Sequence, residues 1–147
     1  MISAPLPPPA ASAHLRVARP SQNLYKAEEF WVRGLEMQVL WRSRPEAEAD
    51  FEHGLLMLGW PGSAWHLELV DDPTLRPSPT AEDLLVLYLG EPVSDDIIQR
   101  MVSAGGQRVS ARNSYWDEWG VTIQDPDGYR IVLSHRDWTN ANTQVAL

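Results

Sequence analysis

One pattern occurs twice along this chain and limits the folds that it can form. The stretches HGLLMLGWPGSAWHLEL, from His53, and WGVTIQDPDGYRIVL, from Trp119, share one order: glycine, strand, turn with proline and glycine, strand. Proline fixes φ and glycine tolerates positive φ, so both turns suit β-hairpins between apolar and β-branched flanks. Two matching hairpins in one short chain indicate an internal duplication.

The elements around the hairpins complete the repeat. Apolar spacing predicts helices at 23–33 and 95–104, with strands at 14–18, 35–41, 54–59, 65–70, 84–89, 107–110, 120–124 and 129–134. We therefore expect an α+β fold in which two βαβββ modules follow in tandem within one domain, 13–138. The predicted boundaries are 13–72 for module one, 73–82 for the connector and 83–138 for module two, with a disordered proline-rich arm at 1–12 and a tail at 139–147.

Composition excludes several classes of function. The net charge of −8 opposes nucleic-acid binding, since phosphates require a basic surface. The chain has no cysteine, which excludes disulfides, thiolate metal sites and cysteine nucleophiles. No apolar run approaches the roughly 18 residues of a spanning helix, and the N-terminus has no signal-peptide pattern. We expect a cytoplasmic protein with neither a nucleic-acid nor a membrane partner.

Three stretches resemble the vicinal oxygen chelate superfamily, which includes glyoxalase I, bleomycin-resistance proteins, fosfomycin-resistance transferases and ring-cleaving dioxygenases. They are AEEFWVRGLEM, WHLEL and NSYWDEWGVTIQDPDGYRIVL, and the DPDG-aromatic turn is the most specific of them. The resemblance spans His14 to Trp138. It implies the glyoxalase/bleomycin-resistance fold, in which two modules form a cupped mixed sheet, and a homodimer whose clefts use both chains.

The resemblance also implies where a divalent metal would bind, because metal-using members place ligands on strands of both modules. The matching positions here are Arg16, Glu68, a site near Leu84, and Val132. Only Glu68 can ligate a metal, although an offset of two residues could bring His14 to the first position. A metal normally needs about three protein ligands, so we expect no cofactor and do not favour a divalent metal.

Charged side chains take the place of the missing ligands. Because side chains alternate along strands, His66 shares a face with Glu68, and Arg130 shares a face with Val132. We predict a salt bridge between Arg16 and Glu68, and ligand binding by Arg16, His66, Glu68 and Arg130. The pair could instead only support the cup, and His66 could act as a general base.

An aromatic group precedes the last hairpin. In the superfamily this connection borders the cleft, so we predict that Tyr115, Trp116 and Trp119 also bind the ligand. Aromatic rings stack on planar molecules and attract cations. The same residues could instead pack the module edge or a subunit contact.

Three functions fit these observations. The first is metal-independent binding of a small aromatic or cationic molecule in the cup or in a dimer cleft. The alternative is a metal-dependent lyase, isomerase or dioxygenase, for which the sequence offers no complete metal site. A third possibility is a scaffold whose cup is filled by its own side chains.

Overall fold

The computed structural model describes residues 4–6, 9, 11–43 and 54–141. Module one comprises β1 (Leu15–Pro20), α1 (Leu24–Glu28) with a π-helical extension (Glu29–Gly34), β2 (Gln38–Arg42), β3 (Gly54–Gly59) and β4 (Trp65–Asp71). Module two comprises β5 (Leu84–Tyr88), α2 (Asp95–Ser103), β6 (Gln107–Val109), α3 (Ser114–Trp119), β7 (Gly120–Gln124) and β8 (Arg130–Ser134). The α+β fold of tandem βαβββ modules is therefore confirmed, and α3 is an element that the sequence pattern did not predict. Much of the predicted arm (1–3, 7, 8 and 10) and of the tail (142–147) lies outside the described residues.

The two modules build equivalent four-stranded sheets. Their strand orders are β1-β4-β3-β2 and β5-β8-β7-β6, and in each the first pair is parallel while the other pairs are antiparallel. Both hairpin turns use glycine at positive φ, +89° at Gly62 and +95° at Gly128, as their sequences predict. No helix in the described ranges is both long and apolar enough to cross a membrane.

Both modules contribute to one hydrophobic core. Its buried members are Ala27, Phe30, Trp31, Leu35, Met37, Leu56, Leu58, Leu67, Leu69, Ile98, Met101, Val121, Ile123, Ile131 and Leu133. Two glycines allow the modules to approach. A Cβ at Gly106 would lie 2.5 Å from Phe30, and one at Gly34 would lie 3.2 Å from the Met101 backbone. The helical sides therefore pack together, and each sheet has a second face outside this core.

We call these second faces the module-one face and the module-two face. The module-one face is the side of the first sheet that carries His14, Arg16, Met57, His66 and Glu68. The module-two face is the side of the second sheet that carries Val86, Thr122, Arg130, Val132 and Ser134. The strand order makes the two faces equivalent in backbone, so their side chains can be compared directly.

A buried polar junction also joins the modules. The Trp31 indole of module one donates a hydrogen bond of 3.2 Å to the Asp125 carboxylate, which also accepts from the backbone N–H groups of Asp127 and Tyr129. The Arg19 guanidinium lies 4.6 Å from the centre of the Tyr129 ring. Burial raises the pKa of Asp125 to about 6, against the hydrogen bonds that favour its ionised form.

Candidate functional site

A salt bridge occupies the centre of the module-one face. The Arg16 Nη1 atom lies 3.3 Å from Glu68 Oε1, so the predicted pairing of these side chains is confirmed. Parallel pairing of β1 with β4 brings them together, because Arg16 lies opposite His66 and Ala18 lies opposite Glu68. The Arg16 side chain is 51% exposed and that of Glu68 is 12% exposed, so the cation faces outward while its partner is largely covered.

Two histidines extend this salt bridge. Arg16 Nε donates to His66 Nε2 at 3.2 Å, and His66 Nδ1 lies 2.7 Å from His14 Nε2. Arginine can only donate, so His66 Nε2 must be the unprotonated nitrogen and the proton must sit on Nδ1. His66 then donates to His14 Nε2, and the His66 imidazole is neutral. We call Glu68, Arg16, His66 and His14, in this order, the polar chain.

The surroundings of His66 favour this neutral state. Burial lowers its pKa below the ordinary histidine value, and the neighbouring Arg16 cation and His14 lower it further. Glu68 acts in the opposite direction and does not overcome them. With both ring nitrogens engaged inside the polar chain, His66 has no free nitrogen to act as a general base in this arrangement.

Apolar side chains border the polar chain on β3 and β2. Met57 Sδ lies 4.0 Å from Arg16 Nη2, and Trp41 is paired with Met57 in the sheet. A register shift between Val39 and Trp41 also turns Leu40 toward this face, where it approaches Gly59. Leu40 and Trp41 are both exposed.

Sequence reasoning did not identify Met57 or Leu40 as site residues. Alternation along β3 could have indicated Met57, which lies two residues before Gly59 on the same face. A bulge has no comparable signal in the sequence around Leu40. Gly59 relieves crowding here, because a Cβ would lie 3.1 Å from Leu40 Cδ1 and 3.3 Å from the His66 Cβ.

The module-two face differs from the module-one face in its side chains and in how far they are exposed. Val132 is 0% exposed, and Thr122, paired with it, is also buried. Helix α3 packs against β7 and β8. The centre of its Trp116 ring lies 6.5 Å from that of Tyr88, which is paired with Ser134 of this face. Arg130 makes no side-chain hydrogen bond or ion pair within the part of the chain that the structure describes. It does not join the polar chain, and its role in ligand binding stays a prediction.

The predicted aromatic residues form a separate cluster around α3. Tyr115 and Trp116 meet edge to face at 5.0 Å, and the Arg136 guanidinium lies 4.5 Å from the Trp119 ring. Trp138, which is 6.3 Å from Tyr88, extends the cluster. An internal cation therefore already covers Trp119. Binding of a ligand by Tyr115, Trp116 and Trp119 stays a prediction.

The residues at the implied metal positions do not fit a metal. Arg16 has no lone pair to donate, Val132 is apolar, and His14 and His66 bind each other through the nitrogens that face together. No three His, Cys, Asp or Glu side chains converge among residues 11–43 and 54–141 in a way that could hold an ion. The chemistry of this face is therefore that of a hydrogen-bonding surface.

Comparisons with known proteins agree with this fold. The YycE-like N-terminal domain model matches residues 15–70, and the YycE-like C-terminal domain model matches residues 82–135. The chain belongs to the YycE-like family. It is 33% identical over 127 residues to YycE of Bacillus subtilis (strain 168), covering 83% of this chain and 87% of that protein.

Solved structures place this YycE-like protein in the vicinal oxygen chelate superfamily, as its sequence predicted. A crystal structure of YycE from Bacillus subtilis has a TM-score of 0.74 at 29% identity, covering 89% of this chain and 95% of that one. TnmS3, an antibiotic binding protein from Streptomyces sp. CB03234, has a TM-score of 0.58 at 25% identity, covering 87% and 99%. Glyoxalase I of Leishmania major, at 21% identity, shares the fold with a TM-score of 0.60, covering 82% and 84%.

Proposed function

We propose that this YycE-like protein binds a small aromatic molecule on its module-one face and does so without a metal ion. The observation that carries this proposal is the polar chain. Arg16, paired with Glu68 at 3.3 Å, stands where the superfamily resemblance implies a metal ligand. A cation held in place by neighbours can orient a polar group of a ligand, as an ion would, but it cannot activate water or polarise a substrate as a Lewis acid.

The rest of the face supports binding of a molecule with a planar apolar part. Met57, Leu40 and Trp41 lie beside the polar chain, and the last two are exposed. Binding sites for small molecules combine an apolar lining with a few fixed polar groups that set orientation. The similarity to TnmS3, an antibiotic binding protein, supports the same class of function.

A second copy of the chain would complete this site in our proposal. The module-one face is open, since the Arg16 side chain is 51% exposed and exposed apolar residues lie next to it. Ligand pockets usually bury most of the molecule that they bind. We therefore expect a homodimer by light scattering at micromolar concentration, with ligand binding weakened on dilution to monomer.

Metal analysis and ligand titration together test the proposal. Protein purified without chelator should contain no stoichiometric Zn, Ni, Mn or Fe, and tryptophan fluorescence should report binding of aromatic compounds equally before and after EDTA treatment. Stoichiometric metal, with binding or turnover that EDTA abolishes, would instead establish the metal-dependent lyase, isomerase or dioxygenase. Absence of binding across a panel of aromatic compounds would contradict the proposal outright.

A further inference from the structure

From the hydrogen-bond pattern of the polar chain we infer the chemical class of the ligand: an aromatic molecule bearing a carboxylate or a similar anionic oxygen group, bound by the Arg16 guanidinium. This inference rests on the proposed function and specifies its ligand. It follows from the hydrogen-bond donors and acceptors that the module-one face presents to a ligand.

Donors dominate the accessible part of the polar chain. Arg16 uses Nε for His66 and one N–H of Nη1 for Glu68, while Nη2 faces only the weak acceptor sulfur of Met57 at 4.0 Å. The remaining N–H groups belong to a side chain that is 51% exposed. Because His14 accepts at Nε2, its Nδ1 carries a proton and is a further donor on an exposed residue.

The acceptors of the polar chain are less accessible than its donors. His66 is 8% exposed and has both nitrogens engaged, one with Arg16 and the other with His14. The Glu68 side chain is 12% exposed and accepts from Arg16. A ligand that approaches this face therefore meets mainly hydrogen-bond donors, which an oxygen anion satisfies and an ammonium group cannot.

Direct contacts with Arg16 outweigh the net charge of the protein in selecting an anionic ligand over a cationic one. The net charge of −8 favours cations at long range, but such a field is screened over about 8 Å at physiological ionic strength. A guanidinium in direct contact with a carboxylate forms charge-assisted, often bidentate hydrogen bonds that are about twice as strong as neutral ones. The neighbouring Met57, Leu40 and Trp41 side chains suit an aromatic ring attached to that carboxylate.

Three probes that differ only in their polar group test this inference. They are 2-naphthoate, 2-naphthalenemethanol and 2-naphthylmethylammonium, titrated by tryptophan fluorescence and by amide NMR shifts. We expect naphthoate to bind at least about tenfold more tightly than the ammonium compound, with shifts centred on Arg16 and Met57. Arg16→Met should remove the preference for naphthoate, because the Glu68 carboxylate is then the charged group left on this face.

Arg42→Met is the matched control, because Arg42 is also a half-exposed arginine of module one paired with a carboxylate. Its side chain is 52% exposed and pairs with Glu28, which lies on α1, away from the module-one face. This variant changes the net charge equally and should keep the preference for naphthoate. Loss of the preference in Arg42→Met as well would assign it either to overall charge or to the cavity that Arg42 lines, and both results overturn the inference.

The remaining outcomes separate the inference from the proposed function. Equal binding of the three probes, or tighter binding of the ammonium compound, overturns the inference and leaves a small-molecule binding protein. Tight naphthoate binding that Arg16→Met does not alter overturns the assignment to this face. Absence of binding by all three probes contradicts the inference and the proposed function together.

Discussion

The module-one and module-two faces have the same strand order and opposite character. Parallel pairing of the first and last strands places Arg16 and Ala18 opposite His66 and Glu68 in one module. The same pairing places Val86 opposite Val132 in the other. One face is polar, hydrogen-bonded and partly exposed, whereas the other is apolar at its centre and covered. A duplicated backbone has therefore acquired two different surfaces.

This difference favours the module-one face as the site of the proposed ligand binding. In a superfamily site that uses both modules, each face would contribute ligands, and here neither does so completely. Helix α3 precedes β7 and packs against β7 and β8 of module two, where Val132 is 0% exposed. The module-one face, where the Arg16 side chain is 51% exposed, is therefore the face on which we propose that a ligand binds.

The largest expected effect comes from placing a carboxylate at the centre of the module-two face. Val132→Glu introduces at a fully buried position the residue type that the superfamily pattern implies there. An unpaired buried charge costs about 3–5 kcal/mol, so we expect a loss of that size in the free energy of unfolding, measured with urea.

The reciprocal change on the other face is its control. Glu68→Val removes a carboxylate whose partner Arg16 is 51% exposed and can be solvated again, so a change of about 1 kcal/mol or less is expected. Similar losses in Glu68→Val and Val132→Glu would show that the two faces are equally sealed, and the contrast between them would fail.

The next largest effect is the pH dependence of stability caused by Asp125 at the polar junction between the modules. Asp125 has a folded-state pKa raised from 3.8 to about 6, so the folded protein binds this proton more tightly than the unfolded chain. The resulting stability is fully present below about pH 4 and is lost as the pH rises through about 6, a decrease of about 3 kcal/mol for this group. Urea unfolding between pH 4 and about 7 should show this decline.

Asp125→Asn isolates the contribution of this carboxylate. The amide oxygen can still accept from the backbone of Asp127 and Tyr129, while the charge is absent. The variant should therefore lose the decline in stability over this pH range. A decline of equal slope in Asp125→Asn would assign the pH dependence to other groups. Separate loss of one module before the other would contradict a shared core.

Local turn chemistry explains how much of the fold could be predicted. The turns around Pro61-Gly62 and Asp125–Gly128 allowed β3, β4, β7 and β8 to be predicted within one residue of their observed bounds. A tight turn determines where one strand ends and the next begins. The Arg16–Glu68 salt bridge followed from strand alternation and the superfamily resemblance together. The turns are short-range features that a single sequence contains, whereas the salt bridge joins residues 52 positions apart and needed the resemblance as well.

The missed features depend on contacts that a single sequence does not specify. The sequence pattern does not predict helix α3, although Asn113 caps it by accepting from the Tyr115 N–H. The bond between His14 and His66 depends on the register of β1 against β4, which no local pattern sets. The bulge that exposes Leu40 depends in the same way on how β2 meets β3.

The smallest expected effect tests the polar chain itself. Its geometry requires the His66 proton on Nδ1, which long-range proton–nitrogen NMR of the imidazole ring can observe directly.

The pKa of His66 is lowered, mainly by burial and then by the neighbouring Arg16 and His14. The contribution of His66 to stability is therefore present above its unfolded-state pKa and is lost as the pH falls through its folded-state pKa. Arg16→Met removes one of these causes and should raise the pKa of His66, whereas Arg42→Met should not. A proton on Nε2 in the wild-type protein would place two donors face to face at Arg16, and the donor inventory of the module-one face would then be wrong.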